Sequence, residues 1–409
     1  MPSAPTAGRR SHDGADVRVF PKSGEPYKKT HLCAFSQELV DDEDSVSSDV
    51  QQPETLSAKM DACEEAPDRF SVCIVGAGAI GCHLAYVLQK AGCDVSLIAR
   101  GENLRVLQRD GLNITVCGED MGRVKIRATD KPEEVGPVDY VFLTMKVCGY
   151  DTAIVDRIKP LIGPNTTLLP PTTSIPHWWF HNAKGAFKDL RLKRVDPDGF
   201  LWDSLPPKQV IGFTMWLSAV QTGPGQVVLR HVQRGYPVGE IDGSSSVRVN
   251  RLADALERGG IPAPKSTGIR AEIFTKSLNS LAFNIVAVLG DAQNGVIAEV
   301  PEAVETLLAV MKECEAMATV LGFEIPQSAE SRITQTLSAK MHTMSMLHDL
   351  RVGKNLELRA LWNSFENLAE IIGVKLPLTR ALVGVALLKE TAVRKSREAE
   401  TEKKSTLGG

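Results

Sequence analysis

The sequence predicts an α/β domain built on a parallel sheet and then an all-α domain, and three observations predict it. Residues 70–100, FSVCIVGAGAIGCHLAYVLQKAGCDVSLIAR, read as strand, glycine turn, helix and second strand. Further short apolar runs separated by turn residues recur to about residue 240. From about residue 265 the apolar positions switch to helical spacing and keep it to about residue 390.

The first unit carries the most chemistry. Ser71 to Val75 is an apolar, β-branched run that stops at Gly76, as a buried parallel strand does before a tight turn. The turn is Gly76-Ala77-Gly78-Ala79-Ile80-Gly81. Gly76 permits the bend, Gly78 removes the Cβ that would hold a pyrophosphate off the backbone, and Gly81 lets the helix pack on its strand. The phosphates then meet a helix N-terminus. Leu84, Val87 and Leu88 continue the helical period, Ala91-Gly92 ends it, and Val95 to Ala99 is the second strand. This is a Rossmann-type dinucleotide unit. An NAD site places Asp or Glu at the end of that strand, whereas this chain places Arg100, which suits a 2′-phosphate; the expected cofactor is NADP(H). Glu102 is expected beyond the strand end, in a turn.

At 409 residues the chain has room for two or three domains, and 43% hydrophobic residues suffice for packed cores. A net charge of -3 gives no field for nucleic acid, so none is expected as a partner. Apolar stretches such as Leu281–Leu289 are short and Ile371–Leu388 is interrupted by Lys375 and Arg380, so no membrane span is expected. The eight cysteines are scattered without C-x-x-C pairs and read as reduced, buried thiols; a cytoplasmic setting is expected. The eight histidines show no metal-ligand spacing, no metal is expected, and His83 reads as a packing or capping residue.

In chain order, residues 1–69 are polar, contain the acidic run 41–44, and are expected to be a disordered leader; Asp13, Asp16 and Glu25 argue against a transit peptide without closing organelle import. Residues 70–264 are expected to form the NADP-binding domain. Within it, Leu112–Val116 and Val124–Ala128 read as a strand pair joined through Gly118 and Gly122. Asp139–Met145 is a buried strand ending at Lys146, which would sit beside the cofactor crevice or simply be a solvated strand end. Thr166–Leu169 leads into Pro170 to Phe180, an aromatic loop expected under partial cover, and a turn follows at 196–199. Val210–Val220 and Gln226–Leu229 read as antiparallel strands extending the same sheet, closed by Val238-Gly239-Glu240.

Residues 265–393 are expected to be the helical domain, with helices at 272–289, 304–321, 357–372 and 379–390, and a charged tail at 394–409 that frays or is disordered. On the first helix Lys276, Ser280 and Asn284 recur every four residues, about 80° apart over the eight, so they face one crevice or form a surface row. An exposed apolar face around 304–321 would point to a homodimer.

From about 70 to 393 the chain resembles the ketopantoate reductases (2-dehydropantoate 2-reductases). The matching pieces are GAGAIG at 76–81, LIAR ending at Arg100, TMK ending at Lys146, the PGQVVLRH-to-PVGE stretch at 224–240, FTKSLNSLAFN at 274–284, and SMLHDLRVGKNLE at 345–357. The resemblance implies a Rossmann domain followed by a helical domain like that of 6-phosphogluconate dehydrogenases, with the active site in the cleft between them. It implies NADPH-dependent reduction of 2-dehydropantoate, a small 2-oxo acid, to pantoate in pantothenate synthesis. Lys276 matches the proton donor, and Glu357 matches the acidic residue that supports substrate binding near it. Asn284 and Ser345 match polar substrate contacts, and Lys146 matches a lysine on the cofactor side. The chain departs from the pattern where Thr173-Ser174 replaces Asn-Gly, where Ser280 stands for an asparagine with Asn279 beside it, and at Asn363, where glycine is usual. Ser280 is then a substrate-side residue and Thr173 a cofactor-side one. These changes leave room for another small 2-oxo acid, or for a catalytically weakened NADP-binding protein.

Overall fold

The computed structural model describes residues 69–146, 151–170 and 173–407, apart from the side chains of 231–234 and 402–407. The expected leader up to residue 68, with Cys33 and Cys63, lies outside them, as do Cys148 and Pro171-Thr172.

The first elements are β1 (Ser71–Val75), α1 (Ala79–Lys90), β2 (Asp94–Ile98), α2 (Gly101–Asp110), β3 (Leu112–Val116), β4 (Glu119–Val124), β5 (Arg127–Thr129), β6 (Tyr140–Leu143), α3 (Thr152–Ile158) and β7 (Thr167–Leu169). Five of these strands form a sheet in the order β5-β2-β1-β6-β7, parallel throughout. Val72 to Val75 and Tyr140 to Leu143 are buried without alternation, because both faces of the sheet are covered. The strand order reverses at β1, where Val75 lies opposite Ile98 on one side and Leu143 on the other. The crevice outside the carboxyl ends of β1 and β6 is therefore the switch point at which such sheets bind ligands.

Next come α4 (Phe200–Ser204), β8 (Gly212–Phe213), β9 (Trp216–Gly223), β10 (Gln226–Gly235), β11 (Val238–Gly239) and α5 (Val247–Arg258). Here the structure corrects the sequence reading. β9 and β10 are antiparallel as expected, but they do not extend the first sheet. They form a second one, β4-β3-β10-β9, in which β10 runs parallel to β3, while β8 and β11 pair separately. The expected partner of β3 is also divided: Leu112 pairs with Val124 at the end of β4, and Arg127–Thr129 joins β2 of the first sheet. Gly122 lies within β4 rather than in the turn. Glu102 stands not in a turn but in the first turn of α2, beside Arg105, with which it forms an exposed ion pair. Within the aromatic loop Thr173 is half-buried, while Ser174 to Phe180 are fully covered. His177, Trp178, Trp179 and Phe180 are all buried, and the last three join a core shared with Val75, Leu143 and Phe274.

The remaining helices are α6 (Ile269–Gly290), α7 (Asn294–Ala298), α8 (Pro301–Leu321), α9 (Ala329–Leu337), α10 (Ser345–Val352), α11 (Leu358–Ile372) and α12 (Pro377–Leu407). The last runs well past the expected end at 390, so the charged tail is helical to Leu407. α6 is the hub: α8, α10, α11 and α12 pack around it, and β8 touches it. Contrary to the sequence reading, α6 is long and apolar enough to cross a membrane by length and composition, but two-thirds of that apolar window is buried in the fold. Its apolarity follows from having partners on nearly every side. The exposed positions of α8 include Glu302, Glu305 and Lys312 together with Val320, and further exposed apolar residues occur on α12 at Leu378, Val385 and Leu388.

Candidate active site

The glycine turn closes β1 at the switch point, and each glycine in it has a separate cause. Gly76 has φ +112, a conformation side chains rarely adopt. A Cβ on Gly81 would lie 1.9 Å from the Gly76 carbonyl oxygen, so only glycine lets α1 leave the strand so closely. A Cβ on Gly78 would meet nothing within 4 Å. That open space lies before the start of α1, which no side chain caps, so its first N–H groups remain for a phosphate. Ala77, Ala79 and Ile80 complete the cradle. The residues present therefore fit a dinucleotide.

Three side chains that the sequence reading missed hold the turn in place. Thr144, just after β6, has its hydroxyl 2.8 Å from the Gly76 carbonyl oxygen. Asn103 of α2 donates to the Ala77 carbonyl at 2.5 Å, while its own oxygen accepts the Gly225 N–H at 2.7 Å. Gln221 of β9 donates to Asn103 Oδ1 at 3.2 Å and reaches Ala77 O at 3.3 Å. The second sheet is thus pinned to the cradle through polar contacts that link residues far apart in sequence. Arg100 lies two residues past β2 and is exposed, and among the described residues its guanidinium has no partner, whereas Glu102 is occupied by Arg105.

Lys146 follows β6 by three residues and forms an ion pair with Asp349 of α10. The pair joins the sheet end to the helical part, and Asp349 is 7% exposed. Asp349 was also missed, although it lies four residues after Ser345 and so shares a face of the same helix. Ser345 itself is exposed at the start of α10. The next residue, Met346, donates its N–H to Asn284 Oδ1 at 2.9 Å. Asn284 Nδ2 in turn donates to Ser280 O at 2.7 Å, with Ser280 Oγ at 3.3 Å. Ser280, Asn284 and the start of α10 are therefore brought together. Asn284 is 1% exposed with its amide committed to these partners, so in this structure it fastens α10 to α6. Asn279, beside Ser280, turns away and accepts from Arg332 at 2.6 Å.

Lys276 is half-buried on α6, one turn before Ser280, and its Nζ lies 5.1 Å from the centroid of the Trp216 ring. Burial pulls its pKa from the usual 10.5 down to about 8. Glu357 is half-buried at the N-cap of α11, and Thr173 is half-buried after β7. Among the described residues Lys276 forms no ion pair, and Thr173 makes no hydrogen bond to the glycine turn. His83 is a packing residue: it is buried, with Nδ1 2.7 Å from the Tyr236 hydroxyl. Among the described residues there is no cluster of His, Cys, Asp and Glu that could hold a metal.

Comparison with known proteins places the chain in a family. The family model for ketopantoate reductase PanE/ApbA matches residues 72–243, and its C-terminal counterpart matches 268–390. A 2-dehydropantoate 2-reductase of Mesorhizobium japonicum is 34% identical over 80% of this chain and 99% of its own. One of Archaeoglobus fulgidus is 26% identical over 76% of this chain and 95% of its own. Among solved structures, a Ralstonia solanacearum chain assigned to the ketopantoate reductases superposes with a TM-score of 0.72 at 32% identity, over 79% of this chain and 98% of its own. A D-mandelate dehydrogenase solved with NADH and anilino(oxo)acetate shares the fold, with a TM-score of 0.63 at 20% identity over 79% of this chain and 99% of that one. On these grounds the chain belongs to the ketopantoate reductase family, as an oxidoreductase with an NADP-binding Rossmann unit.

Proposed function

We propose that this protein reduces 2-dehydropantoate to pantoate with NADPH, the step that serves pantothenate synthesis, and that Lys276 is the proton donor. The observation that carries the reading is Lys276 itself. Its ammonium is half-buried beside an aromatic ring, without an ion pair among the described residues and with its pKa pulled to about 8. A general acid works best when its pKa lies near the working pH.

When bound, NADPH supplies the hydride. The chain's own residues do the rest. As the ketone carbon is reduced its oxygen gains negative charge, and a fixed ammonium stabilises that charge and then surrenders a proton to it. Lys276 becomes a neutral amine, whose cost in this buried place is low, and regains a proton from water. Glu357, at the head of α11, supports substrate binding near the lysine. Ser345 stands at the start of a helix that Asn284 holds, so its hydroxyl is kept in register with α6. A substrate contact by Asn284 itself would require it to exchange one of its present bonds. Arg100 favours NADPH because its exposed guanidinium suits the 2′-phosphate. A cytoplasmic setting is supported by the free thiols Cys73, Cys82, Cys93 and Cys314, which are buried as expected, whereas Cys117 is exposed.

A second reading, reduction of a different small 2-oxo acid, is favoured by Thr173 and Ser280, which stand at pocket positions where the family resemblance expects amide-bearing asparagines. A hydroxyl is shorter and cannot donate and accept in the same geometry as an amide. Steady-state NADPH oxidation with a panel of 2-oxo acids, including 2-dehydropantoate and a phenyl-substituted one, separates the readings. Highest kcat/KM with 2-dehydropantoate is expected. Preference for another acid would replace the substrate, and inactivity with all would leave an NADP-binding protein.

A further inference from the structure

We propose that Trp216 is a positioning residue for Lys276: its indole face holds the ammonium charged and in one place while the site is empty of product. The proposal rests on Lys276 being the proton donor. Trp216 opens β9, is 8% exposed, and lies opposite Gly235 at a register shift of the β9–β10 ladder. Gly235 has φ +70, and a Cβ there would lie 1.9 Å from the Pro262 carbonyl oxygen, so the backbone behind the ring is tightly fixed. The ring, itself buried at 8% exposure, has little freedom. Lys276 Nζ stands 5.1 Å from its centroid, within the roughly 6 Å reach of a cation–π contact.

The choice of an aromatic partner has a chemical consequence. A carboxylate in contact would bind the proton too firmly, raising the lysine pKa by about one to three units. A ring offers a weaker, uncharged attraction, so the ammonium stays protonated until charge develops nearby and then lets the proton go. Burial and the ring thus oppose each other, and their balance sets where the acid titrates. Charged groups on the elements packed around α6 are mostly committed elsewhere: Asp349 to Lys146, Arg351 to Asp291, Glu315 to Arg332, and Arg270 to the carbonyls of Trp179 and His181. Glu313 accepts from Leu378 and Thr379, and Lys389 donates to Leu289 O. Glu272 on α6 and Glu357 remain in place in every variant below, so comparison among variants isolates the ring.

The test compares the full chain with Trp216→Phe and Trp216→Leu by two readouts. One is the pH at which kcat/KM falls on the alkaline side; the other is the titration of Lys276 followed by NMR after reductive 13C-methylation, which needs no turnover. Both midpoints should drop by about 0.4 to 1.5 pH units in the leucine variant and by less in the phenylalanine variant, with the KM for NADPH unchanged. Superposable midpoints in all three proteins would overturn the proposal. Should the leucine variant not fold, Trp216→Met, which keeps an apolar side chain without an aromatic face, takes its place, and an unshifted midpoint there is equally fatal. Failure of the underlying reading looks different: Lys276→Ala would keep its turnover whatever the ring variants do.

Discussion

The two ends of the cleft are built in opposite ways. At the nucleotide end, one continuous stretch from Ser71 to Arg100 supplies strand, turn and helix, and recognition relies on backbone groups that glycines leave bare. At the proposed substrate end, Lys276 of α6 stands by Trp216 of β9, Asn284 joins Ser280 to Met346 at the start of α10, and Lys146 after β6 pairs with Asp349. Side chains rather than backbone do the work there, and the chain must fold completely before they meet. The first end should therefore fail by local steric change, and the second by loss of individual polar or aromatic contacts.

The sharpest way to break that comparison is within the glycine turn itself. In Gly81→Ala the new methyl would meet the Gly76 carbonyl, so α1 must shift, costing about 1 to 3 kcal/mol of stability together with nucleotide affinity. Gly78→Ala meets no neighbour and has φ -80, so its stability should change by less than about 0.5 kcal/mol while NADPH binding still weakens, because the methyl takes up space kept for phosphate. Thermal melts with and without NADPH check both; equal melting losses in the two variants would show that the turn is only structural.

Acid should act on packing at both ends. Burial holds His83, on the buried face of α1, and His177, in the aromatic segment, down to about 4. Both are depressed below the usual 6.5, so their neutral forms stabilise the fold fully above pH 6.5, and that contribution is lost as pH falls through about 4. Each is worth up to about 3 kcal/mol. Urea unfolding from pH 7 to pH 4 should show the decline, and His177→Gln should lessen its slope. An unchanged slope would mean that this histidine does not titrate with unfolding.

Smaller, and confined to one cofactor, is the effect of Arg100→Ala. It should raise the KM for NADPH by about ten- to a hundredfold, equivalent to roughly 1.5 to 3 kcal/mol, and leave NADH almost untouched. Equal losses with both cofactors would remove Arg100 from the 2′-phosphate.

What the sequence discloses follows the same division. β1, α1 and β2 emerge within a residue or two of expectation because strand, turn and helix are contiguous and each glycine has a steric cause. The helical spacing of Lys276, Ser280 and Asn284 was equally legible. Trp216 was not, because nothing in β9 marks which residue will cross to α6. Asn103 was hidden by reading Glu102 as a turn: the helix α2 begins immediately after Arg100, and an asparagine in its first turn became a clamp on Ala77. The second sheet was missed because β10 pairs parallel with β3 across more than a hundred residues, a choice no local pattern encodes.

The central claim is that Lys276 gives the proton while the other end of the cleft holds the nucleotide. Its most direct test is Lys276→Ala, measured for turnover on the best 2-oxo acid and for NADPH binding by titration. The predicted result is a turnover number lower by roughly a hundred- to ten-thousandfold, with the NADPH dissociation constant scarcely changed. Near-normal turnover in that variant would contradict the mechanism and leave Lys276 as a buried lysine without a catalytic part.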